Sequence, residues 1–320
     1  MSTEASRLKN LPVSWFATVM GLSGFAIAWM RAEQIFALDL AISPWLTAIA
    51  GLMFVGLSLL YLSKFLKYRS DVLAEIRHPV KLAFVPTFSI GLLLLSIAVL
   101  PMAETLSFWL WSVGTVLHLV ITLFVLSSWI QHSKYEIAHL NPAWFIPVVG
   151  NVLVPIAGLH HAPADISWFF FSLGVFFWPV LTAILFYRLI FHPSLPERLI
   201  PTLFIFIAPP AVGFISWYHL VGEIDAFAKV LYFVGLFFTL LLLVQAAYFT
   251  RLKFFLSWWA YSFPIAAITI ATLLMYKATG DALYSGLGLV LLTILTALMS
   301  LLMIRTGLAV WRREICVEGH

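Results

Sequence analysis

The chain has 320 residues, of which 62% are hydrophobic and only 10% are charged, and its mean hydropathy is +1.02. Soluble domains carry about 25% charged residues, so the composition excludes a soluble enzyme and indicates an integral membrane protein. The net charge of +4 does not indicate a nucleic-acid partner, because the lysines and arginines form short clusters between apolar runs, as topology signals do.

Ten apolar runs are long enough to cross a lipid bilayer, whose core takes about 20 helical residues. We number these predicted spans 1 to 10 in chain order, at residues 12–30, 44–63, 80–100, 105–130, 142–159, 166–187, 199–219, 226–249, 254–276 and 282–304. The sequence therefore predicts an all-α membrane protein with a single transmembrane domain over residues 1–320. Residues 1–11 and 305–320 are its predicted tails.

The basic residues predict the topology of these spans. If the N-terminus and every second loop face the cytoplasm, 15 of the 18 Lys and Arg residues lie on the cytoplasmic side, and only Arg31, Lys229 and Lys277 lie outside. The cytoplasmic loops of membrane proteins are enriched in Lys and Arg. We therefore expect both tails to lie in the cytoplasm.

Helix-breaking residues concentrate in the odd-numbered spans. They are Gly21 and Gly24 in span 1, Pro86 in span 3, Pro147, Gly150 and Pro155 in span 5, Pro201, Pro209, Pro210 and Gly213 in span 7, and Pro264 in span 9. The odd spans start at intervals of 68, 62, 57 and 55 residues, which indicates five helical hairpins. Because span 1 has no proline in its middle, any bend there must come from its two glycines.

Such breakers are tolerated at membrane depth where the freed backbone groups face protein or a water-filled cavity. Their presence in five alternating spans favours an inner ring of kinked odd helices around a pore, with the even helices outside it and facing lipid. The alternative is that the prolines are ordinary packing kinks, which are common in membrane helices.

The predicted spans have no acidic residue in their middle, and their basic residues lie near the ends. Coupled transporters commonly place ionisable groups at mid-membrane, so this pattern favours a passive conduit. His118 in span 4 could relay protons or bind an anion, but on an even span a neutral imidazole bonded to a neighbouring helix is favoured. The chain has no motif for catalysis, for a metal or for another cofactor.

Residues 258–267, WWAYSFPIAA, form the most distinctive motif. Pro264 lies near the middle of span 9, lacks an N–H donor and frees the carbonyl of Ala260, so we expect a bend there. Phe263 is then placed to project into a central channel, where an apolar ring blocks ions by dewetting. The alternative is that Phe263, one of 28 Phe residues, only packs between helices.

This motif and residues 11–21, LPVSWFATVMG, resemble the tellurite-resistance and dicarboxylate transporter family, to which the slow anion channel of plant guard cells is related. The likeness extends over the whole chain in length, span number and hairpin pattern. It implies a homotrimer in the bacterial inner membrane, in which each subunit has its own pore gated by Phe263. The residues that it implies as pore-lining are Phe16, Met20, Gly21, Gly24, Pro86, Thr87, Pro147, Gly150, Pro209, Gly213, Ser262 and Pro264.

Two main functions remain open. The leading hypothesis is a gated channel for small monovalent anions, in which hydroxyls partly replace the hydration shell, such as those of Ser14, Thr18, Ser23, Thr87 and Ser262. Its preference for anions rests chiefly on the resemblance, because carbonyls freed at the kinks would suit cations. With no fixed positive charge in the predicted span interiors, anion binding should be weak. The alternative is a secondary transporter of C4-dicarboxylates or tellurite that works by alternating access, and a third hypothesis is an intramembrane metalloenzyme.

Overall fold

The computed structural model describes residues 7–316, and all regular secondary structure in this range is helical. Within it, ten helical segments are long and apolar enough to cross a membrane, which confirms the predicted fold class. They keep the numbers of the predicted spans: Val13–Phe36, Ile42–Lys67, Lys81–Val99, Glu104–Gln131, Pro142–His161, Ala164–Phe191, Glu197–Val221, Ala226–Val244, Leu256–Thr279 and Ala282–Trp311. A short helix, Arg69–Arg77, connects spans 2 and 3.

Several spans are longer than predicted. Span 1 continues six residues past Met30 to Phe36, and span 10 continues to Trp311, inside the predicted C-terminal tail. Hydropathy ends a span at its first polar residue, but the backbone hydrogen bonds of a helix continue through residues such as Arg, Glu and Gln, which are good helix formers. The outermost parts of the two predicted tails, residues 1–6 and 317–320, lie outside the described residues.

Burial divides the spans into two sets that alternate along the chain. The odd spans are 78–83% buried within the chain, whereas the even spans are 22–39% buried. Large apolar side chains on the even spans, such as Trp45, Leu52 and Ile130, are strongly exposed. The odd spans therefore form the interior of the protein, and the even spans surround them with an apolar surface that suits lipid.

The odd spans change helix type along their length. Each begins with a 3-10 segment and ends as an α-helix, whereas every even span is one continuous α-helix. The 3-10 segments that open the odd spans are Val13–Trp15, Lys81–Phe84, Pro142–Trp144, Glu197–Ile207 and Leu256–Tyr261. Span 5 has a second 3-10 segment, Gly150–Leu153, between its two α-helical parts. In spans 7 and 9 the α-helices begin at Ala208 and Ser262, so Pro209 and Pro264 stand in a first turn. A first turn tolerates proline because its N–H groups have no partner within the helix.

These positions bear on two sequence-based expectations. Pro264 lies in the first turn of the α-helix Ser262–Thr279, whereas the sequence placed it in the middle of a continuous helix. Gly21 and Gly24 lie inside the helix Phe16–Phe36, which has no break at either glycine. Both glycines instead permit close packing on span 9, since a Cβ on Gly21 would overlap Ser262 and a Cβ on Gly24 would lie 3.2 Å from the Phe263 ring.

A buried ion pair joins spans 1 and 2 to the short helix. Lys64 Nζ lies 2.9 Å from Glu75 Oε2, and both side chains are nearly inaccessible to solvent. Glu75 also accepts hydrogen bonds from the Val13 N–H at 2.7 Å and the Tyr61 hydroxyl at 3.0 Å, and Lys64 donates to the Leu11 carbonyl at 2.7 Å. The sequence analysis placed Lys64 in a loop, because its predicted span 2 ended at residue 63.

Close packing of spans 5 and 6 makes Gly174 sensitive to substitution. A Cβ at this position would lie 2.5 Å from Val152 Cγ1 and 3.2 Å from the Val149 carbonyl oxygen. We expect Gly174→Ala to lower the free energy of unfolding by about 1–3 kcal/mol through overpacking. The measurement is the thermal unfolding midpoint of the purified protein in detergent.

The matched control for this substitution is Gly286→Ala in span 10, where a Cβ meets no atom within 4 Å. Alanine is a better helix former than glycine by up to about 1 kcal/mol, so this variant should unfold at the same temperature as the parent or a higher one. Equal midpoints for the two variants would contradict the packing described here.

Candidate functional site

Two cavities lie one after the other among the odd spans. The larger chamber, with a volume of about 70 Å³, is lined by Ala17, Met20, Phe84, Thr87, Ile90, Phe145, Ile146, Val149, Gly150, Val152, Leu153, Ile205, Ala208, Pro209, Val212, Trp259, Ala260, Phe263 and Pro264. The smaller chamber, of about 20 Å³, is lined by Gly24, Ile27, Arg31, Leu94, Ile97, Leu153, Ile156, Val212, Ile215, Phe263, Ala267 and Ile270. Every one of these residues belongs to an odd span, and all five odd spans contribute to both chambers.

Phe263 lies at the boundary between the chambers. It lines both of them, together with Leu153 and Val212. The ring lies beside Gly24, where the absence of a side chain leaves room for it. Its position at the start of the α-helical part of span 9 follows from Pro264, the next residue, which stands in the first turn of that helix.

The chamber walls are almost entirely apolar. Thr87 contributes a hydroxyl to the larger chamber, but that hydroxyl donates to the Phe84 carbonyl at 2.6 Å. The Thr18 and Ser262 hydroxyls likewise donate to the carbonyls of Trp15 and Trp259, and neither residue lines a chamber. Of the hydroxyls named in the sequence analysis, only that of Thr87 therefore belongs to a chamber lining. Narrow apolar cavities of this kind resist wetting.

The structure brings only some of the predicted pore residues to the chambers. Met20, Thr87, Gly150, Pro209, Phe263 and Pro264 line the larger chamber, and Gly24 and Phe263 line the smaller one. The remaining predicted residues lie outside both linings: Phe16, Gly21, Pro86, Pro147, Gly213 and Ser262. Whether any of the predicted residues lines a conducting pathway stays a prediction.

The residues outside the linings pack between helices. The Phe16 ring lies 5.0 Å from the Phe88 ring, centroid to centroid. The Pro147 carbonyl accepts a hydrogen bond from the Thr122 hydroxyl of span 4 at 2.6 Å. A breaker in the sequence therefore marks an odd span but does not indicate which face of that helix is turned towards the chambers.

His118 is fully buried and lines neither chamber. Its Nδ1 lies 2.8 Å from the Ser89 hydroxyl, whose oxygen also lies 2.9 Å from the Pro86 carbonyl oxygen. The imidazole thus joins span 4 to span 3, as favoured from the sequence. Its Nε2 faces Gly150, where an added Cβ would lie 2.9 Å away, and has no hydrogen-bond partner among the described residues.

Arg31 is the charged residue among the chamber residues that the sequence analysis missed. The predicted span 1 ended at residue 30 and left this cation in an outer loop, but the helix continues to Phe36 and places Arg31 in the wall of the smaller chamber. A positive charge near the end of a span therefore lines a chamber, whereas the sequence analysis placed it outside the spans. Its position before Glu33 and Gln34, both favourable in helices, was the available signal that the helix continues.

Comparison with known proteins identifies the family of this chain. Residues 10–307 match the family model described as voltage-dependent anion channel, SLAC1. The chain is 27% identical to the guard cell S-type anion channel of Arabidopsis thaliana over 93% of its own length and 56% of that protein. It is 25% identical to the tellurite resistance protein TehA homolog of Haemophilus influenzae, over 83% of the chain and 81% of that protein.

An uncharacterized transporter of Methanocaldococcus jannaschii is 28% identical to the chain, over 89% of the chain and 91% of that protein. The similarity to plant anion channels and to a tellurite resistance protein agrees with the resemblance carried by residues 11–21 and 258–267. A match from residue 10 to residue 307 includes every odd span and therefore both chambers. The chain belongs to the SLAC1 family of voltage-dependent anion channels.

Proposed function

We propose that this protein is a gated channel for small monovalent anions, with one pathway through each subunit. The observation that carries the proposal is the position of Phe263 between two chambers whose walls come only from the buried odd spans. The chambers lie in sequence along these spans, so an ion that follows them meets the Phe263 ring on its way. Plant relatives named as anion channels support an anion as the permeating species.

In this proposal Phe263 closes the pathway by excluding water. One water molecule needs about 10–15 Å³ of cavity volume. The larger chamber therefore has room for a few waters and the smaller chamber for about one. An apolar ring between them forces an ion to lose its hydration shell where no polar wall group replaces it. Rotation of the ring away from Gly24 would join the two chambers and remove this barrier.

The proposal also includes the assembly and orientation implied by the resemblance. We propose a homotrimer in the bacterial inner membrane with both termini in the cytoplasm. Because both chambers are complete within one subunit, each subunit would conduct independently. A mass measurement on the protein in native-like lipid and protease accessibility of tags at the two termini test these points.

Reversal potentials test the proposed function directly. The purified protein is placed in a planar bilayer across a tenfold gradient of potassium chloride, and an anion-selective channel then reverses near the chloride equilibrium potential, about 59 mV from zero. Reversal at the potassium potential would contradict anion selectivity. Saturable uptake of a dicarboxylate or of tellurite without any such current would favour the transporter instead.

A further inference from the structure

Arg31 is the one charged residue in the lining of the two chambers described above. It lies in the last part of span 1 and lines the smaller chamber, which Phe263 also lines. The remaining wall of this chamber is apolar, formed by residues such as Ile27, Ile97 and Ile270. A cation in an apolar wall is costly unless a partner compensates its charge.

The hydrogen bonds of Arg31 do not compensate its charge. Its Nη1 lies 3.2 Å from the neutral Gln34 side-chain oxygen, and its Nη2 lies 3.5 Å from His219 Nε2. His219 Nδ1 donates to the Ile215 carbonyl at 2.7 Å, so in the neutral ring Nε2 is an acceptor and not an anionic partner. Arg31 Nε is buried and has no hydrogen-bond partner in the described part of the chain.

No carboxylate of residues 7–316 lies within 4 Å of the Arg31 guanidinium. The nearby Glu33 carboxylate instead accepts hydrogen bonds from the backbone and side chain of Ser43 and from the Ile42 N–H. Lys64 of span 2, in contrast, is a buried cation that pairs with the Glu75 carboxylate. Arg188 donates to the carbonyls of Ile137 and Pro193 and lines neither chamber.

We propose that the missing counterion is the permeating anion, and that Arg31 forms an anion-binding site in the smaller chamber, on the other side of Phe263 from the larger chamber. This inference rests on the proposed function and deepens it by assigning a residue to anion selectivity. A chamber of about 20 Å³ has room for one small ion that has lost most of its water. That size selects halides and nitrate over a C4-dicarboxylate.

The chemistry of the guanidinium also favours halides and nitrate. It is a delocalised and weakly hydrated cation, so an anion gains a charge-assisted hydrogen bond there without displacing a tightly held water shell. Its planar N–H groups match planar oxyanions such as nitrate. The neutral acceptor His219 holds one end of the guanidinium and orients it, which leaves Nε as the donor without a protein partner.

The first test measures anion binding without any current. The melting temperature of the purified protein, with Phe263 intact, is measured in sodium nitrate, sodium chloride and sodium gluconate at equal ionic strength. Ligands that bind only the folded state raise its stability, so nitrate and chloride should raise the melting temperature relative to the large gluconate anion. Arg31→Gln should lose this rise, whereas Lys229→Gln, which removes an exposed cation at the same end of the molecule, should keep it.

The second test measures conduction in the Phe263→Ala background. There Arg31→Gln should lower anion conductance roughly tenfold, as expected for the loss of a hydrogen bond to a charged group, and Lys229→Gln should not. Arg31→Lys keeps the charge but loses the planar fork, so it should retain chloride conductance and lose the preference for nitrate. If Arg31→Gln fails to insert, Arg31→Lys alone still decides, because an unchanged nitrate preference overturns the site.

The outcomes separate this inference from the proposed function. Anion current that is unaffected by Arg31→Gln, together with an unchanged melting response, would contradict the Arg31 site but not the proposed channel. The melting response could depend on Arg31 in a protein that passes no anion current with or without Phe263. That result would support the Arg31 site and contradict the proposed channel. Equal losses in the Arg31→Gln and Lys229→Gln variants would show a general charge effect and overturn the site.

Discussion

Phe263→Ala is expected to increase anion current through this protein by at least about tenfold. The substitution removes the ring that separates the two chambers and joins them into one cavity. A tenfold rise corresponds to a lowering of the barrier by only about 1.4 kcal/mol, which is small compared with the cost of moving an ion through an apolar constriction. The measurement is the anion current in a planar bilayer or in oocytes, normalised to the amount of protein in the membrane.

The control for this variant is Phe176→Ala, which removes an exposed ring of the same size from span 6. It should conduct no more than the parent, because its ring faces away from both chambers. A Phe263→Ala protein that inserts correctly and passes as little current as the parent would refute the gate. Equal increases in both variants would point to a general loosening of the helices.

Glu75→Gln is expected to destabilise the fold by about 3–5 kcal/mol, because it leaves the Lys64 ammonium buried without an opposite charge. The carboxylate also accepts hydrogen bonds from the N–H of Val13 and the hydroxyl of Tyr61. Loss of its charge therefore affects the start of span 1 as well as span 2. Thermal unfolding of the detergent-solubilised protein measures this loss.

Two further variants identify the cause. Adding Lys64→Met to Glu75→Gln removes both charges and should recover part of the lost stability, as replacement of buried ion pairs by apolar residues often does. Asp71→Asn breaks the exposed pair with Lys9, whose charged atoms lie 3.7 Å apart, and should change stability by less than about 1 kcal/mol. If Asp71→Asn were as harmful as Glu75→Gln, burial would not be the reason.

Much of the fold could be predicted because bilayer insertion depends on properties that a short window of sequence contains. Each span needs enough consecutive apolar residues to cross the hydrocarbon core, and the ten predicted spans are the ten observed. The breakers in the odd spans also indicated correctly which helices are buried. Their positions within those spans were harder to interpret, since Pro209 and Pro264 stand in the first turns of α-helices.

The candidate site could be predicted only in part. Phe263 was singled out by the proline that follows it, and it lies at the boundary of the two chambers. Phe16, Gly21 and Ser262 were predicted to line a pore and lie outside both chamber linings, because the direction of a side chain depends on the rotation of its helix against its neighbours. Arg31 was assigned to a loop, because hydropathy does not report where the helical hydrogen bonds end.

The sequence by itself therefore determined that this is a ten-span membrane protein, which spans are buried, and which motif marks its central region. Only the tertiary structure decided how the polar groups are compensated. Glu75 accepts a hydrogen bond from the N–H of Val13, 62 residues away in the chain, and Arg31 contacts His219, 188 residues away. Hydropathy and helix propensity are local properties of the chain, whereas the neutralisation of a buried charge depends on groups that only folding brings together.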